Sequence, residues 1–145
     1  MDSPAAARAP NRNQLSGMLR QSGIRPTRQR VALAGLLFAR GNRHLSAENL
    51  HAEAMAKRVP VSLATVYNTL NQFRRAGLLR EVVVDGPKTY FDTNTTEHHH
   101  FYVEDDQQVI DVPAGSITMA GLAEPPPGYE VARVEVVVRL RRAAR

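Results

Sequence analysis

The sequence predicts an α+β chain of two lobes: an N-terminal lobe of helices closed by a β-hairpin, and a small C-terminal α/β lobe. Three observations predict it. Apolar residues recur at helical spacing through the first half, most clearly in Ser62 to Gly77 (SLATVYNTLNQFRRAG), whereas period-two alternation is confined to stretches after Leu79. Charge divides along the chain in the same way. Residues 1–93 carry 14 Lys/Arg against 6 Asp/Glu, a net of +8, and residues 94–145 carry 5 against 8, a net of −3. Between them the run Thr93-Asn94-Thr95-Thr96 is a polar hinge. The expected division is a flexible arm over 1–13, a helical lobe closed by a hairpin over 14–92, a hinge over 93–97 and a small α/β lobe over 98–145.

The arm is rich in Ala, Pro and Arg and has nothing to bury. Order is expected from about Gln14, where Leu15, Met18 and Leu19 mark a short amphipathic helix stopped by Gly23. Pro26 interrupts the helical run and Thr27 caps the next helix, which carries Val31, Leu33, Leu36, Leu37 and Phe38 inward as far as Gly41. Arg25, Arg28 and Arg30 cluster at that helix start, where backbone N–H groups also favour phosphate. Ser46 caps a helix over 47–58, and Pro60 prevents its continuation into the helix that Ser62 caps.

That last helix has an apolar face of Leu63, Val66, Leu70 and Phe73. Opposite lie Thr65, Asn68, Asn71, Gln72 and Arg75, with Tyr67 at the boundary and no carboxylate among them. Amide, hydroxyl and guanidinium groups without acids suit base edges and phosphates. Helix, short turn, helix, followed by LLREVVV and KTYFD around the turn Asp85-Gly86-Pro87, is the pattern of a winged helix-turn-helix.

The second lobe reads as HHHFYVE, a turn at Asp105-Asp106, then QVIDV. A short helix is expected near Ser116 to Leu122, stopped by PPPG, and ARVEVVVRL is a strand with Ala132, Val134, Val136, Val138 and Leu140 on one face. So short a lobe hardly buries so apolar a strand alone, which predicts a homodimer, and a dimer suits a palindromic operator in double-stranded DNA.

The chain has no cysteine, excluding disulfides and thiolate zinc sites. It has no signal-like or membrane-spanning apolar run, so a cytoplasmic protein without membrane partners is expected. Histidines carry the remaining chemistry. In an extended 98–102 segment His98, His100 and Tyr102 share one face and His99 and Phe101 the other, a set that suits either a metal ion or haem.

Taken together, GIRPTRQR, RHLSAENLH, SLATVYNTLNQFRRAGLL, DGPKTYFD, HHH and VIDV resemble the ferric uptake regulator family of metal-responsive transcription factors. Within it the sequence is most similar to the iron response regulator branch, through SLATVYNTLNQ, KTYFDTN and HHH followed by an aromatic pair. The resemblance implies a dimeric regulator of iron and haem genes, in which Tyr67 and Asn68 read DNA and Arg25 enters the minor groove. It implies metal ligation by His44, Asp92 and His100, with Tyr102 standing where most members have a histidine, and haem binding by His98, His99 and His100. Fe²⁺, Zn²⁺ and Mn²⁺ are the candidate ions. The second metal site of the family is poorly matched, because Phe101 stands for an acid and Thr118 and Val134 for its other ligands. The Cys-x-x-Cys pairs that hold structural zinc in relatives are absent.

No nucleotide-binding glycine loop or other catalytic set is present, so an enzyme is not expected. The alternative from another class is a haem or metal carrier with a winged-helix interaction module, which would bind ligand tightly without preference among DNA sequences.

Overall fold

The computed structural model describes residues 9–85 and 88–144. Its contacts divide the chain into two compact units, before and after the Thr95–Thr96 bond.

The first unit is built from four capped helices and a small sheet. Helix α1 (Arg12–Gln21) starts two residues before the position expected, because Asn11 and Gln14 form a reciprocal capping box. Helix α2 (Arg28–Phe38) is capped by Thr27 and α3 (Ala47–Ala56) by Ser46. Helix α4 (Leu63–Arg75) is capped by Ser62, whose hydroxyl accepts the Thr65 N–H at 3.1 Å. Gly77 follows with φ +83°, the left-handed conformation that ends a helix without a Cβ penalty.

The apolar face of α4 is buried through Val66, Thr69, Leu70 and Phe73. Leu63, expected on that face, is 36% exposed. Its place is taken by Val61, just before the cap, which is buried with Val66 in the position of a hydrophobic staple. Leu15, Leu19, Leu33, Leu37 and Leu50 complete this core.

Strands β2 (Arg80–Asp85) and β3 (Lys88–Asp92) form the expected antiparallel hairpin. Gly86 and Pro87 of its turn lie outside the described residues. A further strand, β1 (His44–Leu45), which sequence patterning does not reveal, pairs antiparallel with β3 and makes the sheet order β1-β3-β2. A strand of two residues is too short for alternation to register.

In the second unit β4 (His100–Val103) and β5 (Gln108–Asp111) form an antiparallel hairpin, and β6 (Val137–Leu140) adds parallel to β4. The order is β5-β4-β6. The acidic turn is neutralised by the C-terminal arginines: Arg139 pairs with Glu104 at 2.6 Å and Arg142 with Asp106 at 3.1 Å.

Two expectations fail here. The helix near Ser116 to Leu122 does not form, and residues 117–126 have no regular structure. β-Branched Ile117 and Thr118 favour extended backbone, Gly121 sits at φ +74°, and three prolines follow. The last strand is also shorter than its alternation predicts, since Ala132, Val134 and Val136 precede β6.

A candidate nucleic-acid face and a candidate metal centre

The helix-turn-helix of the first unit is held by contacts from α2 and α3 to the turn before α4. Gln29 Nε2 donates to the Pro60 carbonyl at 3.0 Å, and His51 Nε2 lies 3.2 Å from the Val61 carbonyl oxygen. One consequence is a groove of about 540 Å³ lined by Arg28, Arg30, Thr65, Asn68, Gln72 and Arg75 among others. Residues 65, 68, 72 and 75 fall on one stripe of α4, and the N-terminus of α2 supplies the facing arginines. No acid lines this groove, so it offers phosphates three guanidinium groups and offers base edges amide and hydroxyl groups.

Five of the eight residues expected at a nucleic-acid surface thus meet in one groove. The other three lie elsewhere. Arg25 is exposed, and its carbonyl accepts from the Arg30 guanidinium at 2.8 Å, so Arg30 also clamps the turn before α2. Tyr67 and Asn71, one turn apart, fall on the neighbouring stripe of α4. The Tyr67 hydroxyl donates to Glu48 Oε1 at 2.5 Å, and that bond together with the nearby negative charge raises its pKa above the ordinary 10.0. Glu48 was not singled out in the sequence, since nothing there places α3's first turn beside α4.

Each unit also carries a cross-strand imidazole–carboxylate pair. In the first, the register of β1 on β3 sets His44 opposite Asp92, with Nε2 and Oδ2 3.0 Å apart. Asp92 is fully buried, and its Oδ1 accepts the Asn94 N–H at 2.8 Å, which fixes the carboxylate plane. In the second, the β4–β5 register sets His100 opposite Asp111, and His98 reaches the same carboxylate oxygen. Asp111 Oδ1 lies 3.0 Å from His98 Nε2 and 3.6 Å from His100 Nε2.

The donor set of the second unit fits a cation. His98 Nδ1 is 2.6 Å from the Thr96 carbonyl oxygen, which can only accept, so that nitrogen carries a proton. A neutral His98 therefore turns the lone pair of Nε2 toward a carboxylate oxygen. Two acceptors facing each other require a positive charge, supplied by a proton or a metal ion. Ligand atoms of His98, His100 and Asp111 all lie within 4.8 Å of one another, and two imidazoles with a carboxylate suit zinc, iron or manganese.

Asp111 has no assigned role in the sequence reading, although it stands in the VIDV segment. The signal available was the pairing of HFYV with QVID, which puts His100 and Asp111 side by side. Tyr102, expected as a ligand, is buried on the same face of β4 as His100, with the Arg139 guanidinium 5.2 Å from its ring centre. His99 is engaged differently: its Nδ1 accepts the Val136 N–H at 3.0 Å, tying residue 99 to the backbone entering β6. His98 and His99 also border a recess of about 450 Å³ walled by Val112, Ile117, Met119 and Val134.

The chain is similar to known proteins. The sequence profile of the Ferric uptake regulator family matches residues 21–136. A ferric uptake regulation protein of Bordetella parapertussis is 36% identical over 80 residues, 55% of this chain and 58% of the relative. A ferric uptake regulation protein of Pseudomonas fluorescens is 35% identical over 94 residues, 64% of this chain and 76% of the relative. The matched part thus spans little more than half the length of the first of these relatives. Among solved structures, the ferric uptake regulator from Pseudomonas aeruginosa with manganese superposes with a TM-score of 0.66 at 26% identity, over 89% of this chain and 98% of that one. The Vibrio cholerae ferric uptake regulator superposes with a TM-score of 0.69 at 21% identity, over 88% of this chain and 98% of that one, and shares the fold.

Proposed function

This chain belongs to the ferric uptake regulator family, and from that premise we propose that it is a metal-responsive transcription regulator acting on double-stranded DNA as a cytoplasmic homodimer. Members of the family are transcription regulators, not enzymes. The observation that carries the DNA reading is the acid-free groove in which Arg28, Arg30 and Arg75 surround Thr65 and Asn68. In this reading Arg28, Arg30 and Arg75 contact phosphates, Thr65 and Asn68 face base edges, and Arg25, Tyr67 and Asn71 extend the contact along the duplex.

The proposed metal ligands are His44 and Asp92 in the first unit and His98, His100 and Asp111 in the second, beside the Tyr102 expected from sequence. All five are imidazole or carboxylate groups, a donor set without sulfur that suits Fe²⁺, Mn²⁺ or Zn²⁺. A bound divalent ion would supply the positive charge that the opposed His98 and Asp111 acceptors require. The chain's own contribution is to orient them: Asn94 holds Asp92, the Thr96 carbonyl fixes the His98 ring, and the strand registers set each histidine against its acid.

Haem is the second reading, as in the iron response branch, and the recess beside His98 and His99 with its apolar wall favours it. His99 would hold the iron of haem through Nε2, the nitrogen not engaged by Val136, and would have to give up the proton that the present hydrogen bond leaves there.

Selection from a pool of randomised duplexes, with Mn²⁺ and again with a chelator, tests the proposal. A preferred palindromic sequence whose affinity differs between the two conditions is the expected result. Equal affinity for all duplexes would reject DNA reading and favour a carrier.

A further inference from the structure

We propose that Glu48 is a specificity-determining positioning residue, which fixes the hydrogen-bonding polarity of Tyr67 at the DNA surface. The inference rests on the reading of the α4 face as a nucleic-acid surface. Tyr67 is 38% exposed on α4, beside Asn68, so it stands on the same exposed helix as the groove residues without lining the groove. A phenol ordinarily offers one proton and two lone pairs, and can serve a base edge as donor or as acceptor. Here the single proton is committed. The hydroxyl donates to Glu48 Oε1 at 2.5 Å, a charge-assisted bond that a neutral base carbonyl or ring nitrogen does not match. The raised pKa of Tyr67 has the same cause, because the neighbouring carboxylate disfavours the phenolate.

What remains on the Tyr67 oxygen is acceptor capacity alone. In the major groove the groups that donate are the exocyclic amines of adenine and cytosine, whereas the guanine edge presents N7 and O6, both acceptors. A Tyr67 held by Glu48 therefore favours an amine-bearing base at the position it reaches and disfavours guanine. Phosphate oxygens are acceptors too, and Glu48 adds its own negative charge, so this edge of α4 is directed away from the backbone and toward bases. Glu48 has a structural role as well: a carboxylate in the first turn of α3 suits the helix dipole. The test must separate the two.

Glu48→Gln keeps the shape and removes the charge, and its amide can donate to the Tyr67 oxygen, releasing the phenol proton. The experiment selects from randomised duplexes in the presence of Mn²⁺ and, separately, of chelator, using the full chain as wild type, Glu48→Gln, Tyr67→Phe and the double variant. Thermal unfolding of each checks the fold. At one base position per half-site, wild type should exclude guanine, and Glu48→Gln should lose about tenfold of that discrimination, the scale of one good base contact. In the Tyr67→Phe background the same change at residue 48 should have no further effect on base preference, since it acts through the hydroxyl.

A base profile of Glu48→Gln identical to wild type would overturn the proposal, as would an equal change with and without the Tyr67 hydroxyl. Either result leaves DNA binding intact. Wild type without any sequence preference would instead overturn the DNA reading and this inference with it.

Discussion

The two units bury their residues in different ways. In the first, sixteen buried apolar residues among the described residues form a single cluster drawn from α1 to α4 and the adjoining strands. In the second, the buried side chains among the described residues are Tyr102, Val109, Val112 and His100, while Met119, Leu122, Tyr129 and Val131 are 44–75% exposed. The first unit thus closes on its own core. The second presents a small sheet and a long irregular tract with little apolar surface hidden, which fits a unit completed by a second copy. The proposed functions divide likewise: the groove of the first unit is the proposed nucleic-acid face, and each unit carries one histidine–acid pair.

The comparison breaks most visibly in stability. Leu70→Ala should cost about 2–5 kcal/mol through the cavity it leaves, and should do so at any protein concentration. Val109→Ala should act on the second unit, and its effect should shrink as concentration rises. Denaturation at two concentrations checks both. A concentration-independent loss for Val109→Ala would show the second unit to be self-sufficient.

Metal affinity comes next. His44→Ala and His100→Ala should each lower Mn²⁺ affinity about a hundredfold, at or beyond the upper range for perturbing such sites. Calorimetry with each variant checks both. Unchanged binding in His44→Ala would confine the ion to the second unit.

Smaller effects sharpen the account of the groove. Asn68→Ala should cost about 1–3 kcal/mol of discrimination between duplexes, and Arg28→Ala should weaken all duplexes alike and lower the salt slope by about 1. Ser62→Ala should cost about 1 kcal/mol of stability through the lost cap.

The smallest effect is at Tyr67. Its carbon-13 resonances should titrate above 10.0 in wild type and nearer that value in Glu48→Gln. The sign for stability follows. The folded chain keeps the phenol proton after the unfolded chain has lost it, so the stabilisation from this pair is present at neutral pH and declines as pH rises above 10.0.

Much of the first unit was legible because its signals are local. Thr27, Ser46 and Ser62 each cap the helix expected of them, and Gly77 stops α4. Leu63 misled because helical spacing alone cannot tell where a core ends, and the adjacent Val61 covered that edge instead. The tract after β5 was harder. Its apolar residues resemble a helical period, but Gly121 and the prolines prevail over it. At the candidate metal centre the histidines stood out by residue type, whereas Asp111 required a strand register that no single stretch contains. Glu48 was hidden for the same reason, being joined to Tyr67 only by the packing of α3 on α4.

In the proposed mechanism these histidine–acid pairs govern DNA affinity. The direct measurement is fluorescence anisotropy of a selected duplex, titrated with wild type and with His100→Ala, with Mn²⁺ and with chelator. The account predicts that metal changes wild-type affinity by about tenfold or more, an ordinary coupling free energy, and leaves His100→Ala unchanged. Equal metal dependence in both proteins, or none in wild type, would contradict it.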